Sequence, residues 1–360
     1  MYIKSISLKG YRNYKDSTVD FDKGTNILYG DNAQGKTNVL EAIFMCATTK
    51  SHRGSKDKEI VGFEENEATI SLLINKSFDD IKIDMLIRKD KAKIVAVNGS
   101  KIRKSSELLG ILNVVLFSPE DLNIIKNGPS ERRRFIDMEL CQLDNIYLYN
   151  LSKYNKIIEQ INKLIKDSYI NKDLIDTLNI WDMQLVSYGN LIIEKRKKFI
   201  EELNEIVVKV HEKLTDGKEK IEIKYEPDVM ACDFERELKK SREKDIKYKM
   251  TERGPHRDDF SFIVNGIDIR KFGSQGQQRT AALSLKLSEI EIVKNVTGHV
   301  PVLLLDDVLS ELDNNRQNYL LNTIGDIQTI ITCTGLDDFV NNNFKINKLI
   351  NVVNGSISCS

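Results

Sequence analysis

The rhythm of hydrophobic and polar positions changes twice along this 360-residue chain. At first, apolar side chains alternate with polar ones or come in short solid runs. "IKIDMLIR" sets Ile81, Ile83, Met85 and Ile87 on one face, the period of a half-buried strand. "KSISLKGY", "NILYG" and "NVVLFS" predict further strands, the last a buried one. "KIVAVNGSKI" predicts a hairpin turning at Asn98-Gly99, a pair that accepts the positive φ of a tight turn. One helix stands among these strands, from Lys36 to about Ala47.

After Pro119 the period lengthens. From Ser130 to about Lys213 there is no proline, and apolar residues recur at helical spacing. Tyr154, Ile157, Ile158, Ile161 and Ile165 form one stripe. Leu174, Leu178, Trp181, Leu185, Tyr188 and Ile192 form a second, which Phe199, Leu203, Ile206 and Val210 continue. The polar break "KDSYINKD" separates the two. The expectation is a helical hairpin whose second arm, unbroken, reaches about 60 Å at about 1.5 Å per residue. Gly189 argues for a weak point in that arm. An ordinary helical bundle satisfies the same pattern.

Strands return with "KIEIKY", and "FSFIVNGIDI" predicts a second hairpin at Asn265-Gly266. The run "PVLLLDD", a helix from about Asn314, the strand "TIITCT" and a closing "INKLINVVNGSIS" follow. Strands alternating with helices point to an α/β sheet. The expected layout is one discontinuous α/β domain, residues 1–120 and 250–360, interrupted by an inserted helical lobe at 121–249.

Two stretches add chemistry to this frame. "GDNAQGKT", Gly30 to Thr37, matches G-x-x-x-x-G-K-[ST] between an apolar strand and a helix pattern, the context a phosphate loop requires. Gly30, Asp31, Asn32, Ala33, Gln34 and Gly35 are expected to aim successive backbone N–H groups at the phosphates, with the helix dipole adding positive potential. Lys36 is placed to reach the β- and γ-phosphates of ATP, and Thr37 to offer its hydroxyl to Mg2+. "VLLLDD" ends an apolar strand in Asp306 and Asp307, an expensive placement without a cation. Asp306 suits Mg2+, and Asp307 suits orienting or deprotonating an attacking water. A strand end capped by solvated acids is the plainer alternative.

A third stretch, "KFGSQGQQRTAALSLKLSEIEIV", runs from a Gly/Ser/Gln cluster into an amphipathic helix pattern and has the look of a second anion site. The order "GDNAQGKT", "SQGQQ", "LLLDD", "SELD" resembles the ABC-type ATPase heads. In that family a signature at a helix N-terminus binds the γ-phosphate held by the phosphate loop of a second subunit. The resemblance implies an ABC-type P-loop head with an inserted α-helical arm and an ATP-dependent homodimer. It places Ser274, Gln275, Gly276 and Gln277 on ATP in trans, and Ser310 and Asp313 at the interface.

More of the chain is similar to the RecF family of bacterial DNA replication and repair ATPases. The matching segments "LKGYRNY", "SHRGSKDKEI", "FSPEDL", "GPSERRRFID", "GPHRDDF" and "GSQGQQRT" stand in the expected order over nearly the entire length. This resemblance implies Arg12 near the phosphates or adenine, and binding to double-stranded DNA at gaps and single-strand junctions. It also implies partners of the RecO and RecR mediator type that load recombinase. It gives no role to Arg132, Arg133, Arg134 or "GPHRDD", and a basic triplet on a helix is more often a solvated face. Three departures from the ABC pattern imply slow hydrolysis and a switch-like use of ATP. Gln275 stands where the signature usually has glycine, Asp307 where many heads have glutamate, and no histidine follows Asp307. "TIITCT" ends in Thr332, Cys333 and Thr334 where a head usually supplies that histidine.

Composition narrows the alternatives. With 54 basic and 54 acidic residues the formal charge is zero, so a uniformly basic nucleic-acid binder is excluded and DNA contact must come from local patches such as "KSHRGSKDK". Five scattered cysteines without a C-x-x-C pair speak against a disulfide framework or zinc site. The first residues lack a signal-peptide core and no apolar run is long enough to span a bilayer, so the expected location is cytoplasmic, without membrane. A transporter ATPase subunit, an architectural SMC-like protein and a P-loop kinase remain as competing classes. The helical arm and "GPHRDD" count against the first, the missing long coiled coil against the second, and the unexplained signature against the third.

Overall fold

Strands β1 (Tyr2–Tyr11) and β2 (Tyr14–Asp20) open the chain as a hairpin, with Arg12 in a left-handed conformation at its corner. Strand β3 (Thr25–Tyr29) runs through the phosphate loop into helix α1 (Lys36–Thr48). Helix α2 (Asp57–Ile60) and strands β4 (Glu67–Lys76), β5 (Asp79–Arg88), β6 (Ile94–Val97), β7 (Ser100–Lys101) and β8 (Val114–Phe117) follow. Then come helices α3 (Leu122–Lys126), α4 (Pro129–Leu143), α5 (Asn145–Asp167) and α6 (Leu178–Leu214), strand β9 (Ile221–Glu226) and helix α7 (Phe234–Tyr248). Strands β10 (Asp259–Val264) and β11 (Ile267–Asp268) lead into helices α8 (Ile269–Phe272) and α9 (Gln275–Thr297). Strand β12 (Val302–Asp306), helix α10 (Asn314–Ile324) and strands β13 (Thr329–Cys333), β14 (Lys348–Val353) and β15 (Ser356–Cys359) close the chain. This computed structural model describes residues 1–77, 79–167, 177–335 and 344–359.

The chain divides into two compact units, Met1–Asp121 with Lys286–Ser360, and Leu122–Leu285. The first holds two six-stranded sheets. One, ordered β2-β1-β4-β5-β6-β7, is antiparallel throughout. Its strands alternate as the sequence predicts: Ile83, Met85 and Ile87 of β5 are buried, and Ile81, near the start of the strand, is partly open. The other is ordered β15-β14-β3-β13-β12-β8 and is parallel except at β15. All five residues of both β12 and β13 are buried, the solid apolar run of a strand covered on both faces. Asn98-Gly99, with φ of 50° and 77°, makes the tight turn its sequence requires.

The second unit contains α3 to α8 and the sheet β11-β10-β9, and α9 starts within it. Residues 250–285 belong here, whereas the sequence pattern placed them with the α/β domain. The reason is β10, which pairs antiparallel with β9 along its whole length, so the Asn265-Gly266 hairpin and the signature travel with the helices. Helix α6 is continuous over 37 residues, about 55 Å at about 1.5 Å per residue. Gly189 does not break it. A Cβ at Gly189 would stand 2.4 Å from the Phe234 ring and 3.1 Å from that of Tyr154, so the missing side chain is what lets α7 and α5 approach. Tyr154, Ile157, Ile161 and Ile165 of α5 are buried, as are Leu178, Leu185, Ile192, Phe199 and Leu203 of α6. Near the end of α6 the stripe shifts by one position, and Val207 and His211 are buried rather than Ile206 and Val210. Leu174 and most of the "KDSYINKD" break lie outside the described residues.

Candidate functional site

The carboxyl ends of β3, β13 and β12 lie side by side, because Cys333 pairs with Tyr29 and Thr332 with Asp306. Parallel sheets present their ligand sites at this edge, and the loop from Gly30 leaves from it. Ala33 and Gly35 carry φ of 63° and 114°. A Cβ at Gly35 would meet the Asn13 carboxamide at 2.7 Å and the Tyr14 hydroxyl at 3.0 Å, so the curl tolerates only glycine there. Lys36 closes the curl, its Nζ donating to the carbonyls of Gly30 at 2.6 Å and Asp31 at 2.7 Å. Asp31, Asn32 and Ala33 are exposed, and Gln34 is half-buried.

Two neighbours of Arg12 buttress this loop. Asn13 Nδ2 donates to the Gln34 carbonyl at 2.8 Å, and Tyr14 donates its hydroxyl proton to the Gly35 carbonyl at 2.9 Å. From the other side the Asn354 amide donates to Gln34 Oε1 at 2.6 Å, and the Gly355 amide to its carbonyl at 3.1 Å. Arg12 itself makes a two-pronged contact with Glu41 of α1, at 2.7 and 2.9 Å, and also reaches the Glu59 carbonyl and Ser55 Oγ. Burial works to raise the Glu41 carboxyl, but hydrogen bonds from Arg12 and Ser51 outweigh it and hold the pKa below its ordinary value. Arg12 therefore ties the hairpin corner to the helix behind the loop. The motif "YRNY" pointed to this corner, but its loop contacts come from Asn13 and Tyr14.

The two strand-end acids separate in role. Thr37 Oγ1 donates to Asp306 Oδ1 at 2.7 Å, and Thr332 Oγ1 donates to the same oxygen at 2.8 Å. Thr332 also accepts the Asp307 amide at 3.1 Å. Asp306 is 9% exposed, while Asp307 is open to solvent on a left-handed backbone with φ of 52°. Such a conformation persists only where the surroundings impose it, and it turns the second acid out of the strand. Thr332 was legible as the polar end of "TIITCT"; its register opposite Asp306 was not.

These donors fit Mg2+. The Thr37 hydroxyl and the Asp306 carboxylate are hard oxygens that meet at one point beside the phosphate loop. Among the described residues, no group of three or more His, Cys, Asp and Glu is placed to hold a metal by itself. Mg2+ at a nucleotide asks for no such cage; it takes one or two protein oxygens and completes its shell with phosphate and water.

The signature residues lie in the second unit. Ser274, Gln275 and Gly276 are exposed and Gln277 is half-buried. Ser274 caps α9: its Oγ accepts the Gln277 amide at 3.2 Å, and Gln277 Oε1 accepts the Ser274 amide at 3.0 Å. This reciprocal pair is a capping box. It explains the Ser-x-x-Gln spacing locally and fixes the helix N-terminus. In the first unit, Ser310 donates to the Asp307 carbonyl at 2.8 Å, and Asp313 caps α10 by accepting the Arg316 amide at 3.0 Å.

The segments without a sequence-level role send particular side chains into the interior of the second unit. Arg132 is 1% exposed and binds Asp259 through Nε at 2.6 Å and Nη2 at 3.0 Å. Arg133 donates to the Asp258 carbonyl at 2.8 Å, and of the triplet only Arg134 is exposed. Arg196 of α6, 2% exposed, donates to Asp258 Oδ2, Asp137 Oδ1, the Pro255 carbonyl and Tyr147 Oη. "GPSERRRFID" and "GPHRDD" are thus two sides of one ion network inside the second unit. The solvated face expected for the triplet is corrected for Arg132 and Arg133.

Comparison with known proteins gives the family and the fold. Residues 2–357 match the family described as RecF/RecN/SMC N terminal domain. A protein of Agathobacter rectalis named DNA replication and repair protein RecF is 60% identical over 357 residues, 99% of each chain. A solved structure described as the recombination mediator protein RecF-ATP in the RecFOR pathway is 38% identical with a TM-score of 0.94, covering 100% of this chain and 97% of that one. The Smc head domain of Pyrococcus furiosus shares the fold, at a TM-score of 0.58 and 19% identity over 100% of this chain and 96% of that one.

Proposed function

We infer a function from a plain premise: the chain belongs to the RecF family of DNA replication and repair proteins. On that premise it is an ATP-dependent DNA-binding switch. ATP is held by Gly30 to Thr37, and two protomers close on two nucleotides, each completed by Ser274, Gln275, Gly276 and Gln277 of the other. The dimer engages double-stranded DNA at gaps and single-strand junctions and promotes recombinase loading with mediators of the RecO and RecR type. The observation that carries this reading is the meeting of Thr37 and Asp306 at 2.7 Å beside a closed phosphate loop.

The residues divide the work. Lys36 leaves the carbonyls of Gly30 and Asp31 for the β- and γ-phosphates, exchanging neutral acceptors for charged ones. Thr37 and Asp306 would hold Mg2+, which would supply charge neutralisation at the same phosphates. Asp307, turned toward solvent, orients the attacking water and takes its proton. Thr332 keeps Asp306 and the Asp307 backbone in register. Phe272 is 78% exposed two residues before Ser274, an apolar side chain of the kind that a dimer interface covers. Among the described residues no helix is long and apolar enough to cross a membrane.

Sedimentation with and without ATP tests the reading. The wild type is expected to dimerise with ATP, and both Lys36→Met and Ser274→Arg to stay monomeric, the latter still binding nucleotide. A wild type that remains monomeric with ATP and DNA overturns it.

A further inference from the structure

We propose that Glu219, in the turn between α6 and β9, is a positioning residue for the signature: it sets the orientation of the Gln277 carboxamide. The inference rests on the trans reading above and deepens it. Gln277 Nε2 donates to Glu219 Oε1 at 3.0 Å while Gln277 Oε1 accepts the Ser274 amide at 3.0 Å. A carboxamide can flip and exchange its donor and acceptor ends. A carboxylate only accepts, and a backbone N–H only donates. Between these two fixed partners one orientation alone satisfies both ends, so Glu219 locks the capping box of α9 in a single form.

Glu219 also lies close to a second side chain. Its Oε2 lies 3.3 Å from Nε2 of His211, which is fully buried near the end of α6, and His211 Nδ1 is 2.9 Å from Ser284 Oγ on α9. The turn between is tight, with Thr215 bonded to His211, Gly217 to Glu212 and Lys218 to Thr215. The Glu219 side chain is 21% exposed, so its bond to Gln277 is partly shielded from water. A long helix, a buried imidazole and one carboxylate thus prearrange the four residues that meet the second protomer's nucleotide. Prearrangement removes the ordering cost that a loose loop would add when it binds.

Two variants and two readouts test this. In Glu219→Ala, hydrogen exchange of a peptide covering residues 274–278 in the nucleotide-free protein should rise about fivefold or more, as expected when a local bond is lost. ATP-driven dimerisation should weaken about tenfold, the scale of one hydrogen bond to a charged group, with ATP affinity of the monomer unchanged. Glu219→Gln keeps the length but can donate as well as accept, so it should restore each readout only in part, and a full return to wild type would show that an accept-only group is not what orients Gln277. Unchanged exchange in Glu219→Ala overturns the inference, as does a dimer of wild-type strength. Raised exchange alongside a wild type that never dimerises overturns the trans reading instead and leaves the positioning by Glu219 supported.

Discussion

Thr332 touches both strand-end acids at once, through the side chain of one and the amide of the other. Of Thr332, Cys333 and Thr334, which end the strand without the histidine of the ABC pattern, Thr332 holds the Asp306 carboxylate with a hydroxyl. Thr332→Val should leave ATP affinity near the wild-type value and lower single-turnover hydrolysis about tenfold, the scale of losing one bond to a charged group; equal rates would show that Asp306 needs no such support. A second residue sets a pH dependence. Burial pushes the His256 imidazole down to about 4, and its neutral form is satisfied by Tyr154 Oη at 2.8 Å and the Thr251 carbonyl at 2.9 Å. The unfolded chain, with an ordinary value near 6.5, takes up the proton first as pH falls. The contribution of His256 is therefore complete above about 6.5 and is lost on descending toward about 4, by at most about 3 kcal/mol. Melting at pH 7 and pH 5 should show a drop that is smaller in His256→Asn. An identical drop in both proteins would assign the dependence to other groups.

At the scale of elements, Arg196 makes α6 part of the second unit's interior rather than a free arm. It joins α6 to α4 through Asp137, to α5 through Tyr147 and to the entry of β10 through Asp258. Arg196→Met strands these acceptors in a buried place and should lower unfolding free energy by about 3–5 kcal/mol, seen as a fall in the urea midpoint; an unchanged midpoint would mean that water replaces the guanidinium. The same elements show what the sequence could and could not tell. Period-two and solid apolar runs announced β5, β12 and β13, and Asn-Gly pairs announced both hairpins, because those signals are local. Gly30 to Thr37 was legible for the same reason. The continuity of α6 at Gly189 was not, since it depends on Phe234, 45 positions away in sequence. Arg132 looked like surface because its partner Asp259 lies across the fold. The boundary at residue 250 failed because β10 could pair with β9, a choice that no local pattern encodes.

For the whole molecule, the phosphate-loop motif and the signature segment fall in different compact units. With zero formal charge, attraction to DNA must come from patches. Affinity for duplex DNA should then fall linearly in log–log with salt and show little sequence preference; a salt-insensitive affinity would remove phosphate contact from the picture. The central claim is that each nucleotide is completed by a second copy of the chain. Mixing Lys36→Met with Ser274→Arg tests it most directly, by ATP hydrolysis on DNA. In a mixed dimer one composite site carries both lesions and the other carries neither. Composite sites predict that two inactive proteins regain hydrolysis on mixing, up to about half the wild-type rate per mixed dimer. A mixture as inactive as its components would contradict the claim.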